Sequence, residues 1–340
     1  MQRQPRSSPR SAKATRTASI IGTGSYTPER ILTNEDLSRL VDTNDEWITT
    51  RTGIKQRRIA RPDETTSDMA AEAARHAMEQ AGITAQEIEL ILVATATPDM
   101  IFPSTACFVQ KKIGARNAAC LDVSAACAGF LYGLEIGQQF ITSHTYDTVL
   151  VIGADRLSSI TNWKDRNTCV LFGDGAGAVL LGHRGRAHGV ISTYLASDGE
   201  FSDILFMPGG GSKTPITAEN AHDDLVTIHM LGKEVYKQAV IAMLGAAKKA
   251  MAQAGLAVED IACLIPHQAN LRIIEAVGER LGIPREKVFV NVDRYGNTSA
   301  ASVAIALDEA NRSGRIKKGD YVLMVVFGGG LTVASTIIEW

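Results

Sequence analysis

Small and apolar residues recur at helical spacing over residues 71–81 and again over 244–254, and both runs stop at a glycine, Gly82 or Gly255. A short acidic turn follows each glycine. An apolar run then reads as a buried strand, ILVA at 91–94 and ACLI at 262–265. The two stretches are copies of one pattern. A displacement of 173 residues sets Ala73 on Ala246, Ala77 on Ala250, Met78 on Met251, Gln80 on Gln253, Gly82 on Gly255 and Ile88 on Ile261. The same displacement carries Ala128 to Ala301, Leu134 to Leu307 and Asp147 to Asp320, and VLVIGA (149–154) onto VLMVVF (322–327). Further helices are predicted near 127–140 and 298–312. Helices alternating with apolar strands predict an α/β fold with covered sheets. The period is too long for a solenoid and predicts two fused halves of about 170 residues, with a site where they meet. VLVIGA and VLMVVF are too apolar for exposed sheet edges, which predicts an interface with a second copy or a cover of helices.

Composition narrows the class. The 340 residues are 45% hydrophobic and 21% charged, with a formal net charge of -2, the balance of a soluble globular protein with no global basic field for nucleic acid. No apolar run approaches the ~20 residues a membrane span needs, and no secretory apolar region stands near the start. The five cysteines, Cys107, Cys120, Cys127, Cys169 and Cys263, are an odd number without a C-x-x-C pair, which disfavours disulfides and metal ligation and suits a reducing cytoplasm. Residues 1–17 hold four arginines, one lysine and two prolines and no acid. They are expected to be a disordered basic tail or an early start site rather than a transit peptide.

Several motifs carry chemistry, each with a plainer alternative. GTGSYTP (22–28) has Thr27 where a dinucleotide fingerprint needs its third glycine, and no phosphate loop occurs. DVSAACAGFLYGL (122–134) puts Cys127 at a predicted helix N-terminus, where the dipole favours a thiolate; a buried structural cysteine is the alternative. PHQANLRII (266–274) places His267 at the end of a strand, just before a helix that Asn270 helps open. RYGNTSAAS (294–302) places Asn297 in a turn before another helix; by themselves these two motifs read as a structural histidine and an N-cap. GDGAGAVLL (173–181) and FGGGL (327–331) are glycine turns between apolar strands, able to present amides to an oxyanion.

Taken together, IIGTGSYTPE, TNDEWITTRTGI, SAACAGF, FGDGAGAV, PHQANLRI, GNTSAAS and FGGG resemble the β-ketoacyl-acyl carrier protein synthase III family of initiating condensing enzymes, from about residue 18 to Trp340. The resemblance implies the thiolase fold: two α-β-α-β-α-β-β halves in a five-layer α-β-α-β-α sandwich. The halves expected are 18–188, carrying the nucleophile, and 189–340, carrying His and Asn. It implies Cys127 as acyl nucleophile, with His267 and Asn297 completing the triad. It implies an oxyanion hole from the Cys127 and Gly329 amides, and Phe327 at the decarboxylation site. Trp47, Arg51 and Arg166 match positions that hold the adenine and phosphates of coenzyme A, and Asn270 a pantetheine contact. Lys237 and Arg272 match a face that meets acyl carrier protein. Phe102 matches the end of the acyl pocket beside a homodimer partner. Acyl-coenzyme A and malonyl-acyl carrier protein are the implied substrates, with no cofactor, metal, nucleic acid or membrane.

The chemistry expected is ping-pong. A thioester acylates Cys127. His267 and Asn297 then stabilise the enolate left when a malonyl thioester loses carbon dioxide. A thiolase that removes a proton typically uses a second cysteine where this chain has Asn297. The rivals are a related condensing enzyme or acyltransferase of secondary metabolism, a Cys-His-Asn hydrolase, and a non-catalytic relative.

Overall fold

The computed structural model describes residues 16–183 and 189–340. Five strands, β1 (Ser19–Tyr26), β2 (Leu90–Ala94), β3 (Ala119–Val123), β4 (Thr148–Arg156) and β5 (Asp174–Gly182), form one sheet in the order β1-β5-β4-β2-β3. Four more, β6 (Gly189–Ser197), β7 (Ile261–Pro266), β8 (Tyr321–Gly328) and β9 (Thr332–Glu339), form a second in the order β7-β8-β9-β6. β2 runs parallel to β3 and β4, and β7 parallel to β8. The remaining neighbours in both sheets are antiparallel. Parallel neighbours need long crossovers, and the helices supply them.

Both glycine stops are helix ends. α1 (Thr66–Ala81) opens on a Thr65–Asp68 capping box and closes at Gly82, in the left-handed region with φ 67°. The other crossovers are α2 (Gly129–Thr142), α3 (Gly232–Ala254), α4 (Leu271–Leu281) and α5 (Ala301–Arg312), and α3 closes at Gly255 with φ 68°. α1 covers the outer face of the first sheet, and α3 and α4 cover that of the second. α2 and α5 lie between the sheets, with Phe130, Leu131, Leu134, Val303 and Leu307 in one apolar cluster with residues from both. The result is the expected five-layer sandwich. Burying each such side chain favours folding by about 1.5–3 kcal/mol. The middle layer sits hard on the first sheet: a Cβ built at Gly153 of β4 would lie 2.3 Å from the Ala300 carbonyl oxygen at the start of α5.

The repeat holds through β4 and β8 and then breaks. The first half runs through residues 157–173 before β5, where the second half turns in three residues, 329–331, before β9. That insertion carries Trp163 and Arg166. Among the described residues no strand at the equivalent of β3 joins the second sheet, and the short helix Val292–Tyr295 takes its place.

Two expectations need correction or limit. VLVIGA and VLMVVF are interior strands with neighbours on both sides, so their hydrophobicity says nothing about an interface. Edge strands show apolar surface at Leu121 on β3 and at Ile191 on β6, and the exposed run Met100, Ile101 and Phe102 lies outside the strands. Of the tail expected over residues 1–17, residues 1–15 lie outside the described residues, as do residues 184–188, against which the expected boundary at 188 and 189 falls. Arg16 pairs with Asp147.

Candidate active site

The two sheets meet around a cavity of about 300 Å³ lined mainly by apolar side chains, among them Leu157, Phe172, Leu205, Ile228 and Met230. Cys127, His267 and Asn297 line it together with Phe327 and Gly329. Three different chain segments bring them there, as expected for a site at strand ends in an α/β protein.

Cys127 sits in a single 3-10 turn, Ala126–Ala128, just ahead of α2. Ala126 holds φ 45°, a left-handed conformation uncommon for a non-glycine residue. The FGGG turn packs on the same backbone. A Cβ built at Gly328 would lie 2.8 Å from the Cys127 amide nitrogen, so only glycine lets the two segments approach this closely. The expected thiolate does not form by default. Burial pushes the Cys127 thiol up to about 12, the Asp155 carboxylate adds to the rise, and a hydrogen bond with Ser299 opposes it. A helix N-terminus contributes about 0.3–1 kcal/mol, and the effective desolvation penalty is several kcal/mol per ion. The lining holds no lysine or arginine to make up the difference.

His267 follows β7 directly and is fully buried, its amide donating to the Val325 carbonyl at 2.8 Å. Burial lowers its pKa to about 3, so the ring is neutral at pH 7. Nδ1 lies 2.6 Å from the Ser302 hydroxyl, which itself receives the Gln268 amide at 3.4 Å. We assign the serine proton to Nδ1, which places the ring hydrogen on Nε2, the tautomer in which the ring is a donor toward the cavity. Nε2 is buried with no protein partner among the described residues. The Phe327 ring stands edge-on to the imidazole, with centroids 5.4 Å apart.

Asn297 is pinned to the first half by its backbone. Its amide donates to the Leu171 carbonyl at 2.8 Å, and its carbonyl accepts from Gly173 at 3.0 Å. Its side-chain oxygen accepts the Ser299 amide at 2.9 Å, which leaves the NH₂ group for the cavity. Two hydrogen donors, His267 Nε2–H and the Asn297 amide, thus share a cavity with a thiol and the glycine turn that carries Gly329.

Asn270 caps α4, accepting the Arg272 amide at 2.9 Å, lines the cavity, and donates to the Arg51 carbonyl at 3.1 Å. Arg51 and Trp47 lie on the helix Asp45–Thr52. The Arg51 and Arg166 guanidiniums stand 4.7 and 5.0 Å from the Trp47 ring, and both arginines are exposed. The sequence-predicted group Trp47, Arg51, Arg166 and Asn270 is therefore one cluster. Lys237 and Arg272 are exposed on α3 and α4, and Arg272 stacks over Tyr236, a cavity-lining residue, at 5.7 Å. Phe102 is not brought into this chain's own cavity; it is 80% exposed.

Sequence reasoning missed Ser302. It lies within the quoted motif at 294–302, but its partner His267 follows β7, 35 residues away, so only packing reveals it.

Residues 121–199 match the family described as 3-oxoacyl-[acyl-carrier-protein] synthase III, and residues 251–340 match its C-terminal counterpart. The β-ketoacyl-[acyl-carrier-protein] synthase III of Caldanaerobacter subterraneus subsp. tengcongensis is 58% identical over 323 residues, 95% of this chain and 98% of that one. The crystal structure of 3-oxoacyl-[acyl-carrier-protein] synthase III from Aquifex aeolicus is 46% identical with a TM-score of 0.89, over 95% of this chain and 100% of that one. A priming β-ketosynthase of a polyketide biosynthetic pathway is 37% identical with a TM-score of 0.91, over 97% of this chain and 98% of that one.

Proposed function

The chain belongs to the β-ketoacyl-[acyl-carrier-protein] synthase III family, and on that premise we propose which of its residues carry the reaction. It is an acyltransferase of fatty acid synthesis that condenses an acyl thioester with malonyl-acyl carrier protein. We assign Cys127 as the acyl carrier. His267 and Asn297 donate to the malonyl thioester oxygen, so that the electron pair released with carbon dioxide is held as an enolate. The enolate carbon attacks the acyl-Cys127 carbonyl, whose oxygen the Cys127 and Gly329 amides receive, while Phe327 screens the decarboxylation site from water. The observation that carries this reading is the meeting of one thiol and two unengaged donors in a single cavity that leads to Asn270.

Trp47, Arg51, Arg166 and Asn270 bind coenzyme A and pantetheine in this reading. Adenine displaces an arginine from the Trp47 face, and the guanidiniums turn to phosphate. The basic tail is read as residues 1–17, and the halves as 18–188 and 189–340, the second formed around His267 and Asn297. The protein works in the cytoplasm, in keeping with the five free cysteines. No helix among the described residues is long and apolar enough to cross a membrane.

Lys237 and Arg272 meet the acidic carrier protein. Reversing both charges is expected to lower malonyl-acyl carrier protein turnover at low salt and to leave acyl transfer from coenzyme A near its original rate. Turnover indifferent to the charges and to salt would make this an ordinary solvated face.

The protein is a homodimer in which Phe102 of one subunit closes the acyl pocket of the other, supported by the exposed Met100, Ile101 and Phe102 and by the β3 edge. The defining assay is condensation with malonyl-acyl carrier protein across acetyl, branched and medium-chain donors. Phe102→Thr should shift preference toward longer donors by roughly fivefold per added methylene, about 1 kcal/mol each. Light scattering should return twice the chain mass. An active monomer, or an unchanged donor profile, removes this role for Phe102. The 37% likeness to the polyketide priming enzyme favours one alternative, a condensing enzyme or acyltransferase of secondary metabolism, which would prefer specialised donors in the same assay.

A further inference from the structure

The oxyanion pair assigned above consists of two backbone amides from different halves of the fold, so their spacing depends on what joins the Cys127 turn to the FGGG turn. Thr332 makes that join. It opens β9, and its backbone is paired in register with Gly328 of β8 and Ser197 of β6. Its neighbour is held as well: the Leu331 and Asp198 amides each donate to the other's carbonyl, at 2.8 and 2.9 Å. Alternation along the strand puts Thr332 on the face of β9 shared with Ala334 and Ile338, which pack in the cluster between the sheets, while Val333 and Ile337 pack in the outer one. A hydroxyl thus stands on an inward, otherwise apolar face, beside the turn that carries Cys127.

The Thr332 hydroxyl donates to the Ala125 carbonyl oxygen at 3.0 Å, with the Gly329 carbonyl oxygen at 3.3 Å sharing the contact. The first carbonyl lies two residues before Cys127. The second belongs to the residue whose amide is the other oxyanion donor. The Ala125 carbonyl also accepts the Ala128 amide at 3.0 Å, the bond that closes the turn, so the hydroxyl takes up its remaining lone pair. Immediately after that carbonyl comes Ala126, at φ 45°. A non-glycine residue persists in that region only where its surroundings over-determine it. The packing around the contact is close: a Cβ built at Gly328 would lie 2.8 Å from both the Cys127 amide nitrogen and Thr332 Oγ1, and 3.0 Å from the Ala128 amide nitrogen. Thr332 does not itself line the cavity, so removing its hydroxyl changes no wall that a substrate meets.

We propose that Thr332 is a positioning residue for the oxyanion hole, its hydroxyl clamping the Ala125 peptide to the FGGG turn so that the Cys127 and Gly329 amides stay aimed at one point. The inference rests on the assignment of those two amides and of Cys127 as the acyl carrier. Oxyanion donors work by being in place before the charge develops, so a donor that must be re-aimed during the reaction loses part of its effect. Without the hydroxyl, the Ala125 carbonyl keeps the Ala128 amide and the turn stays closed, but its tie to the second half is gone. The malonyl oxygen is served by other donors. His267 is anchored through its amide on Val325, and Asn297 on Leu171 and Gly173, none of them through Thr332. Loosening the Cys127 turn therefore slows acyl transfer and spares decarboxylation.

The test compares two half-reactions in wild type, Thr332→Val, Thr332→Ala and Thr332→Ser. One is the rate of mass addition to the intact chain at rising concentrations of whichever of acetyl-, isobutyryl- and octanoyl-coenzyme A acylates wild type fastest. The other is release of carbon dioxide from malonyl-acyl carrier protein with no donor present. Valine keeps the shape of threonine without the hydroxyl, alanine covers the case in which a second methyl disturbs the turn, and serine keeps the hydroxyl. The maximal acylation rate should fall on the order of tenfold in the valine and alanine variants, a part of the loss on the order of 10²–10³ that deleting a donor brings. The donor concentration at half-maximal rate should not move, because the interaction lost is one made in the transition state. Carbon dioxide release should stay near the wild-type rate, and Thr332→Ser should recover most of the acylation. Wild-type acylation in either variant that lacks the hydroxyl overturns the clamp. So do equal losses in the two half-reactions, or a serine variant as slow as the valine one. Acyl groups on a cysteine other than Cys127 in wild type would instead overturn the reading on which the clamp rests, whatever the Thr332 variants do.

Discussion

Cys127→Ala is expected to abolish acyl-enzyme formation, seen as the loss of a mass increase of one acyl group on the intact chain incubated with acyl-coenzyme A. Condensation should fall on the order of 10⁵–10⁶-fold, since the covalent route disappears. The fold should survive, because alanine removes one sulfur from a cavity wall and leaves the Ala126–Ala128 turn in place. Cys120, Cys169 and Cys263 cannot substitute. Their thiols are raised by burial as that of Cys127 is, but none of them lines the cavity where an acyl thioester and the two donors would meet. Malonyl decarboxylation should persist in the variant, because the two donors that hold the enolate remain. Acylation at Cys107 or any other thiol in wild type would remove Cys127 from its role.

Replacing His267 or Asn297 by alanine should separate the half-reactions in the opposite sense. Each substitution deletes one donor aimed at the same developing charge, a loss on the order of 10²–10³ in decarboxylation. Self-acylation should suffer far less, because neither group is needed to carry the acyl chain. The pH dependence follows from the buried ring. His267 has its pKa lowered to about 3, so it is a neutral donor throughout the range in which most enzymes are assayed. Decarboxylation should show no inflection at the ordinary histidine value near 6.5. The sign for stability follows from the same displacement. Between about 6.5 and 3 the unfolded chain binds a proton that the folded chain excludes, so this group's contribution to stability is present above 6.5 and is lost as the pH falls. Equal loss of acylation and decarboxylation in both variants, or a step near 6.5 in decarboxylation, would contradict these roles.

The residues that the sequence made legible share a property: their role follows from neighbours close along the chain. Gly82 and Gly255 end helices because only glycine takes the left-handed position cheaply, and that requirement shows in any sequence. Asn270 caps α4 through its own local geometry. The motif around Cys127 announces itself by small residues that let a turn approach a glycine strand. Phe102 was identifiable as a residue, yet its 80% exposure is a fact about one subunit's surface that no local pattern encodes.

The sequence by itself determined the duplicated helix–strand plan, the glycine stops and the identities of the thiol, imidazole and amide. Periodicity, capping and backbone freedom act over a few residues, so they are written locally. The tertiary structure alone decided which strands are edges and which atom of each site residue is left unengaged. It also decided that the Cys127 thiol is raised rather than lowered. Edge position is set by strand order, which placed VLVIGA and VLMVVF inside their sheets. The protonation states are set by desolvation and by donors such as Ser302 and the backbone around Asp155, which come from distant segments. Burial is a property of everything packed around an atom, and folding assembles that environment from the whole chain.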